Sequence, residues 1–413
     1  MRSLSGPRRA LLAAAACVAV VAGAAIGLPR LVAVNRALPA EPVPFALPAP
    51  TGPGRIGSLD LHLVDHDRPD PWAPDGGPRE VVATLWYPAL PDDDAPPVPY
   101  LAPRVASFLD QSWSEIGVEP GAVAFAEAVT HAHNRAPVAD AAPRAVLLYS
   151  PGGGNPRAFG TTLVEDLVSH GYVVLAVDST YQAPVELPDG LTFPARGVDM
   201  KQALAERVHD LRFALDQLGV IRDGGNPDAA RRALPAGIGA LLDLDRVGLF
   251  GHSMGGFAAA ETMLADRRVD VGANLDGSMT PEYSADPAAR LDRPFLLLSA
   301  GTDGDRAAPH THLGAPDLAR YWDRMTGWKR EVHLPDGEHM SLSDLQSVLP
   351  AIAAGLPLDT DAVRTAIGTV DPAASLQVQR RYLRALFDQH LRGTPQPVLD
   401  AVPADLSVAE LVR

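Results

Sequence analysis

The sequence predicts an α/β fold with a mostly parallel central sheet, helices on both faces and a lid-like insertion. Short β-branched runs alternate with helical stretches along the chain, which is the order of elements in a doubly wound sheet. Several runs are apolar throughout, as expected of strands that are buried on both faces. The 413 residues are 46% hydrophobic, so they supply enough apolar surface for a large core.

The predicted strands share an aliphatic and β-branched composition. They are Val81–Tyr87, Ala145–Ser150, Val173–Val177, Arg246–Phe250, Val271–Leu275, Phe295–Ser299 and Lys329–Leu334. Helical periodicity places a largely apolar face on one segment, which comprises Met200, Leu204, Arg207, Leu211, Leu215 and Leu218. Helices are also predicted around residues 159–170 and 375–391. The Gly/Pro/Ala-rich stretch 223–243 interrupts the alternation and is interpreted as an insertion.

The N-terminus predicts export. Arg2, Arg8 and Arg9 precede an uncharged run from Leu11 to Leu28, which is typical of a signal peptide or signal anchor. We therefore expect the protein to be secreted, or held at the outer face of the cytoplasmic membrane through residues 1–28.

Composition divides the rest of the chain into three parts. Residues 29–54 are Pro-rich and are predicted to form an extended spacer. A catalytic domain is predicted over 55–394, followed by a C-terminal tail at 395–413. The Pro-rich stretch 88–143 is interpreted as an insertion in this domain, and it is a candidate lid or surface cap.

Charge and cysteine content exclude several functions. The chain has 35 basic and 50 acidic residues and a net charge of −15, which argues against a nucleic-acid partner. The one cysteine, Cys17, lies in the N-terminal apolar run, so the folded part has no thiol nucleophile and no Cys-ligated zinc. The histidine pairs at 131/133 and 310/312 have no third ligand at a useful spacing. We expect neither a metal nor a cofactor.

The motif Gly251-His252-Ser253-Met254-Gly255 matches the pattern G-x-S-x-G. A predicted strand precedes it directly and a helical segment follows, which is the context of a nucleophile elbow. Glycines on either side of the serine remove side chains that would collide across the sharp turn. Ser253 is therefore the candidate nucleophile.

A serine nucleophile needs a histidine base and an orienting acid, in the chain order Ser, Asp, His for this kind of elbow. His339 lies in the loop directly after the last predicted strand, where it can reach the serine. The other histidines after Ser253 lie in a polar loop, a strand or the last helix: His310, His312, His333 and His390.

The position of the acid is left open by the spacing. Asp276 ends the strand after the elbow, whereas Asp303 and Asp305 follow the next strand. The segment 305–309 resembles secreted polyester hydrolases and cutinase-like lipases, which favours Asp305. An aspartate at a strand end can also be a turn or helix cap.

The glycine cluster 152–154 follows a predicted strand and can present unobstructed backbone N–H groups. The expected oxyanion donors are the N–H groups of Gly153 and of Met254, the residue after the nucleophile.

A family resemblance is carried by segments that occur in order between about residues 81 and 391: Tyr149–Gly154, Glu165–Val174, Gly251–Gly256, Asn274–Met279 and Gly337–His339. Together they resemble the plasma-type (isoform II) platelet-activating-factor acetylhydrolases, a family with the α/β-hydrolase fold. In that family the acid follows the strand after the elbow, so the resemblance implies Ser253, Asp276 and His339 as a triad. The sequence departs from the family at Pro151, where a histidine is usual, and at Gly153, where a larger apolar residue is common.

These observations predict an exported serine esterase or lipase that forms an acyl-enzyme with a short-chain lipid or another small ester. One alternative is a cutinase-like polyester hydrolase or lipase that uses Asp305 as its acid. An alternative from another class is a non-catalytic envelope binding protein on the same fold.

Overall fold

The computed structural model describes residues 39–413 except 93, 117, 141 and 302–308. The predicted signal segment, Cys17 and the first part of the spacer lie outside the described residues. The two alternative acids, Asp303 and Asp305, also lie outside them.

The described strands fall in the following ranges: β1 Arg55–Pro69, β2 Pro78–Ala89, β3 Pro97–Pro99, β4 Val129–Asn134, β5 Arg144–Ser150, β6 Val173–Ser179, β7 Val185–Leu187, β8 Gly190–Thr192, β9 Leu242–His252, β10 Val269–Leu275, β11 Phe295–Ala300, β12 Lys329–Leu334 and β13 Glu410–Val412. The helices are α1 Pro103–Ser112, α2 Thr161–Ser169, α3 Met200–Arg222, α4 Met254–Ala265, α5 Pro316–Trp322, α6 Leu345–Ala353, α7 Thr360–Ile367 and α8 Pro372–Leu391.

Within the described residues, eleven strands form one sheet in the order β13-β12-β11-β10-β9-β5-β6-β2-β1-β4-β3. The centre of the sheet, from β12 to β6, is parallel. Strand β2 pairs antiparallel with both β6 and β1, and β13 pairs antiparallel with β12. The predicted α/β fold with a mostly parallel sheet is confirmed, and every predicted strand lies within an observed one.

Helices cover both faces of the sheet. Apolar side chains of α3 and α4 pack on one face in a core that includes Leu211, Leu215 and Phe257. Helices α2 and α8 pack on the other face, where Leu163 and Tyr382 are buried. Because the central strands are covered on both sides, several of them are nearly apolar along their length, as the sequence predicted.

The stretch 88–143, predicted to be an insertion, contributes two strands to the sheet. Its strand β4 pairs parallel with β1, and β3 pairs antiparallel with β4, so both extend the sheet at one edge. Its helix α1 instead packs with α6 and α7 in a third core cluster that includes Leu109, Ile352 and Ile367. One part of the predicted lid is therefore sheet, and the other part lies against the segment that follows the candidate base.

The ends of the predicted domain are also packed. Phe45 and Leu47, within the predicted spacer, are buried in the same cluster as α1. At the other end, Leu399 and Leu406 are buried beside α8, and β13 adds an edge strand. The folded unit thus includes residues on both sides of 55–394. Among the described residues, no helix is both long and apolar enough to span a membrane.

Candidate active site

Ser253 occupies a sharp turn between β9 and α4. Its backbone has φ 54° and ψ −124°, a left-handed conformation that is unusual for a residue with a side chain. The Ser253 N–H donates to the carbonyl of Leu275 at 2.8 Å, which holds the turn beside the end of β10. A Cβ on Gly255 would lie 2.0 Å from the Ser150 carbonyl oxygen, so helix α4 can approach β5 this closely only with glycine at that position.

Asp276 is the residue directly after β10, and it also has a positive φ of 54°. Its N–H donates to the Leu298 carbonyl at 2.8 Å, and the residue is only 4% exposed. The carboxylate is aimed at the base: His339 Nδ1 lies 2.6 Å from Asp276 Oδ2. A short hydrogen bond from His339 Nδ1–H to a buried carboxylate fixes both the orientation and the tautomer of the imidazole.

The pKa of Asp276 lies well below its ordinary value. Burial by itself raises the pKa, but the charges of His310 and His339 and their hydrogen bonds to the carboxylate outweigh burial. The acid is therefore ionised throughout the neutral range, as an orienting carboxylate must be.

The backbone of His339 is bound by His252, the residue that precedes Ser253. The Nε2–H of His252 donates to the His339 carbonyl at 3.0 Å, and the two ring centroids are 4.7 Å apart. Burial, followed by the charge of His339, lowers the pKa of His252 to about 3, so its ring is neutral at working pH. His252 thus ties the base loop to the elbow without adding a charge.

The glycine loop after β5 lies next to the elbow. A Cβ on Gly152 would come within 3.3 Å of the Ser253 Cβ and within 3.0 Å of His252 Nδ1, so the loop backbone passes directly beside the serine. Among the described residues, the N–H groups of Gly153 and Met254 have no acceptor. Both residues are half-buried and partly reached by solvent. Two such N–H groups can stabilise a developing oxyanion.

Two arginines hold this loop. The guanidinium of Arg207 on α3 is fully buried and donates to the Pro151 carbonyl and, at 3.2 Å, to Ser150 Oγ. At the other end of the loop, Arg157 binds Asp178 through its N–H at 2.6 Å and its Nη1 at 2.5 Å. Sequence reasoning missed both roles, although an arginine on the apolar face of α3 was a signal that could have indicated one.

The remaining histidines are distributed as follows. His333 lies buried on β12 within 3.3 Å of Ser299 Oγ, and His390 packs against Trp328 at the end of α8. His312 pairs with Glu331.

The sequence places His310 only in a polar loop, yet its Nδ1 lies 2.8 Å from Asp276 Oδ1. Within the described part of the chain, no group of three or more His, Cys, Asp or Glu side chains is arranged so that it could hold a metal ion.

The fold, with a serine in a nucleophile elbow at the carboxyl ends of the parallel strands, is that of the α/β-hydrolases. Comparisons with known proteins lead to the same class. A solved ferulic acid esterase from Streptomyces cinnamoneus is 35% identical, with a TM-score of 0.73 over 89% of this chain and 99% of that chain. A probable 1-alkyl-2-acetylglycerophosphocholine esterase from Arthroderma benhamiae is 23% identical over 380 residues, which is 87% of this chain and 91% of that protein.

A platelet-activating factor acetylhydrolase from Bos taurus is 26% identical over 181 residues, covering 38% of this chain and 39% of that protein. No protein-family model matches the sequence. The chain belongs to the α/β-hydrolase family of esterases that resemble platelet-activating-factor acetylhydrolase, and it is a carboxylic ester hydrolase.

Proposed function

We propose that the chain is an exported esterase that hydrolyses short-acyl lipid esters or small esters through Ser253, Asp276 and His339. The observation that carries this proposal is the 2.6 Å contact between His339 Nδ1 and the buried carboxylate of Asp276, beside the strained turn of Ser253. With its proton held on Nδ1, a neutral imidazole presents Nε2 as the proton acceptor.

The chemistry follows from that arrangement. Ser253 Oγ attacks the ester carbonyl carbon while its proton passes to His339 Nε2, and the N–H groups of Gly153 and Met254 donate to the oxyanion. The imidazolium then protonates the departing alkoxide as the C–O bond breaks, which leaves an acyl-enzyme. Water repeats the sequence and releases the acid. Asp276 stays ionised and stabilises the imidazolium in both halves.

The acyl group is proposed to be short, because two relatives are named for acetyl esters of this kind. A second candidate is an ester of an aromatic acid, since the solved relative at 35% identity is a ferulic acid esterase. p-Nitrophenyl acetate and p-nitrophenyl ferulate share a leaving group, so the ratio of their kcat/KM values separates the two. A ratio in favour of ferulate would replace the short-acyl proposal.

The orienting acid is tested by Asp276→Asn and, as a matched control, Asp305→Asn. Asp276→Asn removes the carboxylate that orients His339 and is expected to lower kcat by about 10⁴-fold. The kcat of Asp305→Asn is expected to stay near that of the wild type. Turnover of short p-nitrophenyl esters measures both. If only Asp305→Asn lost activity, the cutinase-like alternative would be correct.

Export is proposed from the arginines and the apolar run within residues 1–28. Fractionation of expressing cells checks it: the protein is expected in the medium or in the membrane fraction, and recovery in the cytoplasm alone would contradict export.

A further inference from the structure

The carboxylate of Asp276 has two imidazoles bound to it. One oxygen, Oδ2, accepts from His339 Nδ1 at 2.6 Å. The other, Oδ1, accepts from His310 Nδ1 at 2.8 Å and from the Ala300 N–H, also at 2.8 Å. An orienting acid needs only one imidazole to do its work, so the second imidazole calls for an explanation.

His310 is fixed in place by its own segment. Its N–H donates to the Gly301 carbonyl at 3.2 Å, and its side chain is 11% exposed. Two residues later, His312 stacks on Trp322 at 4.1 Å and pairs with Glu331 of β12. The segment is thus attached at both histidines, one through the candidate acid and one through a separate carboxylate.

We propose that His310 is a positioning residue for the reaction, acting through Asp276. Together with the Ala300 N–H, its Nδ1–H holds Oδ1 and keeps the carboxylate turned toward His339, and it takes up part of the negative charge that acts on His339. This inference rests on the proposed function, because it assumes that Asp276 and His339 are the acid and the base.

The sharing of charge has a predictable sign. In the described part, the charged and titratable groups near His310 include Asp276, directly after β10, and His333 on β12, which itself lies near Glu331. His339 is also faced by His252, with the two ring centroids 4.7 Å apart. Removing His310 leaves more of the carboxylate charge to His339, with only the Ala300 N–H still bound to Oδ1, and it removes any positive charge on His310 that repels the His339 imidazolium. Both effects stabilise protonated His339 and raise its pKa. The acid limb of the kcat/KM profile then moves to higher pH.

The variants are His310→Leu and His310→Asn. Leucine cannot donate, whereas the Asn amide can place an N–H donor near the position of Nδ1. We expect His310→Leu to lower kcat by about tenfold with KM unchanged, because the base is less well positioned, and to shift the acid limb of the kcat/KM profile upward by about half a pH unit or more. His310→Asn is expected to restore much of both. Thermal unfolding midpoints check that each variant is folded.

The matched control is His312→Leu, which removes the neighbouring attachment but leaves the contact with Asp276. It is expected to lower stability without moving the acid limb. The inference is overturned if His310→Leu keeps the wild-type kcat and pH profile, if His310→Asn is no better than leucine, or if His312→Leu produces the same pH shift. Failure of the proposed function would give a different result: Asp276→Asn would then retain full activity, whatever the His310 variants do.

Discussion

The conformation of Ser253 is determined by residues close to it in the sequence. The turn needs a serine in a left-handed conformation with glycines around it, and the flanking strand and helix are short-range features of the sequence. The position of His310 depends instead on a long-range contact. Its partner is 34 residues away, and the contact exists only because the ends of neighbouring parallel strands meet at one edge.

Asp344 is a buried carboxyl outside the proposed chemistry. Its Oδ1 accepts from the N–H of Thr162 at 3.1 Å and from the Thr162 hydroxyl at 2.6 Å, but burial dominates and raises the pKa of Asp344 to about 7. An unfolded aspartate has its pKa near 3.8. Between about pH 4 and 7 the folded chain therefore holds a proton that the unfolded chain has lost.

Asp344 should thus make the protein less stable as pH rises. The stability conferred by its protonated form is fully present below about pH 4 and is lost as pH rises through 7. Asp344→Asn keeps an acceptor for Thr162 and removes this dependence. From pH 5 to 8, the wild type is expected to lose about 2–3 kcal/mol relative to the variant. His252 titrates with the opposite sign but is common to both proteins.

Denaturant unfolding of both proteins at several pH values measures this difference. A difference between wild type and Asp344→Asn that stayed constant from pH 5 to 8 would mean that Asp344 is ionised in the folded protein throughout.

Among the elements, helix α3 connects the core to the candidate oxyanion loop. Its Arg207 is buried where the helix faces the sheet and binds the Pro151 carbonyl, while Arg207 Nε donates to Gln182 Oε1 at 3.0 Å. The Gln182 carbonyl in turn accepts from the Gly154 N–H at 2.8 Å. Burial lowers the pKa of Arg207 to about 10, so it still carries its charge. The helix therefore holds the loop at two points.

Arg207→Met should loosen this loop. Misplacement of the Gly153 N–H is expected to lower kcat by about 10- to 100-fold with little change in KM, because an oxyanion donor acts mainly in the transition state. Arg212→Met, on the same helix, is the control: that side chain is 43% exposed and pairs with Asp266 at 3.6 Å. Steady-state kinetics compare the two, and equal effects would show that α3, rather than the loop contact, is responsible.

The strands differ in how far the sequence predicted them. The central strands β5, β6 and β11 are almost entirely buried, and their nearly continuous apolar runs indicated them directly. Strand β1 was missed although Leu59, Leu61 and Leu63 alternate with polar residues, a pattern typical of a half-buried strand, because the Pro/Gly-rich segment before it was interpreted as spacer. The three-residue edge strands β3 and β13 carry almost no local signal, since their pairing depends on the sheet they join.

For the molecule as a whole, the order of motifs predicted the fold, while the limits of the folded unit depended on tertiary contacts. Phe45 and Leu47 lie in a Pro-rich stretch that was interpreted as a spacer, yet both are buried in the core cluster that also contains side chains of α1 and α6. Leu399 and Leu406 lie beyond the last predicted helix and are buried just as fully. Isolated apolar residues in segments without regular secondary structure give no periodic pattern. Their burial in the core is therefore visible only in the three-dimensional structure.

The central claim is that Ser253 forms a covalent intermediate. The most direct measurement is reaction of the purified protein with a fluorophosphonate probe, followed by mass spectrometry of its peptides. We predict one adduct, on Ser253, with no labelling and a loss of turnover of about 10⁴-fold or more for Ser253→Ala. An adduct on a different serine, or wild-type turnover by Ser253→Ala, would contradict the account.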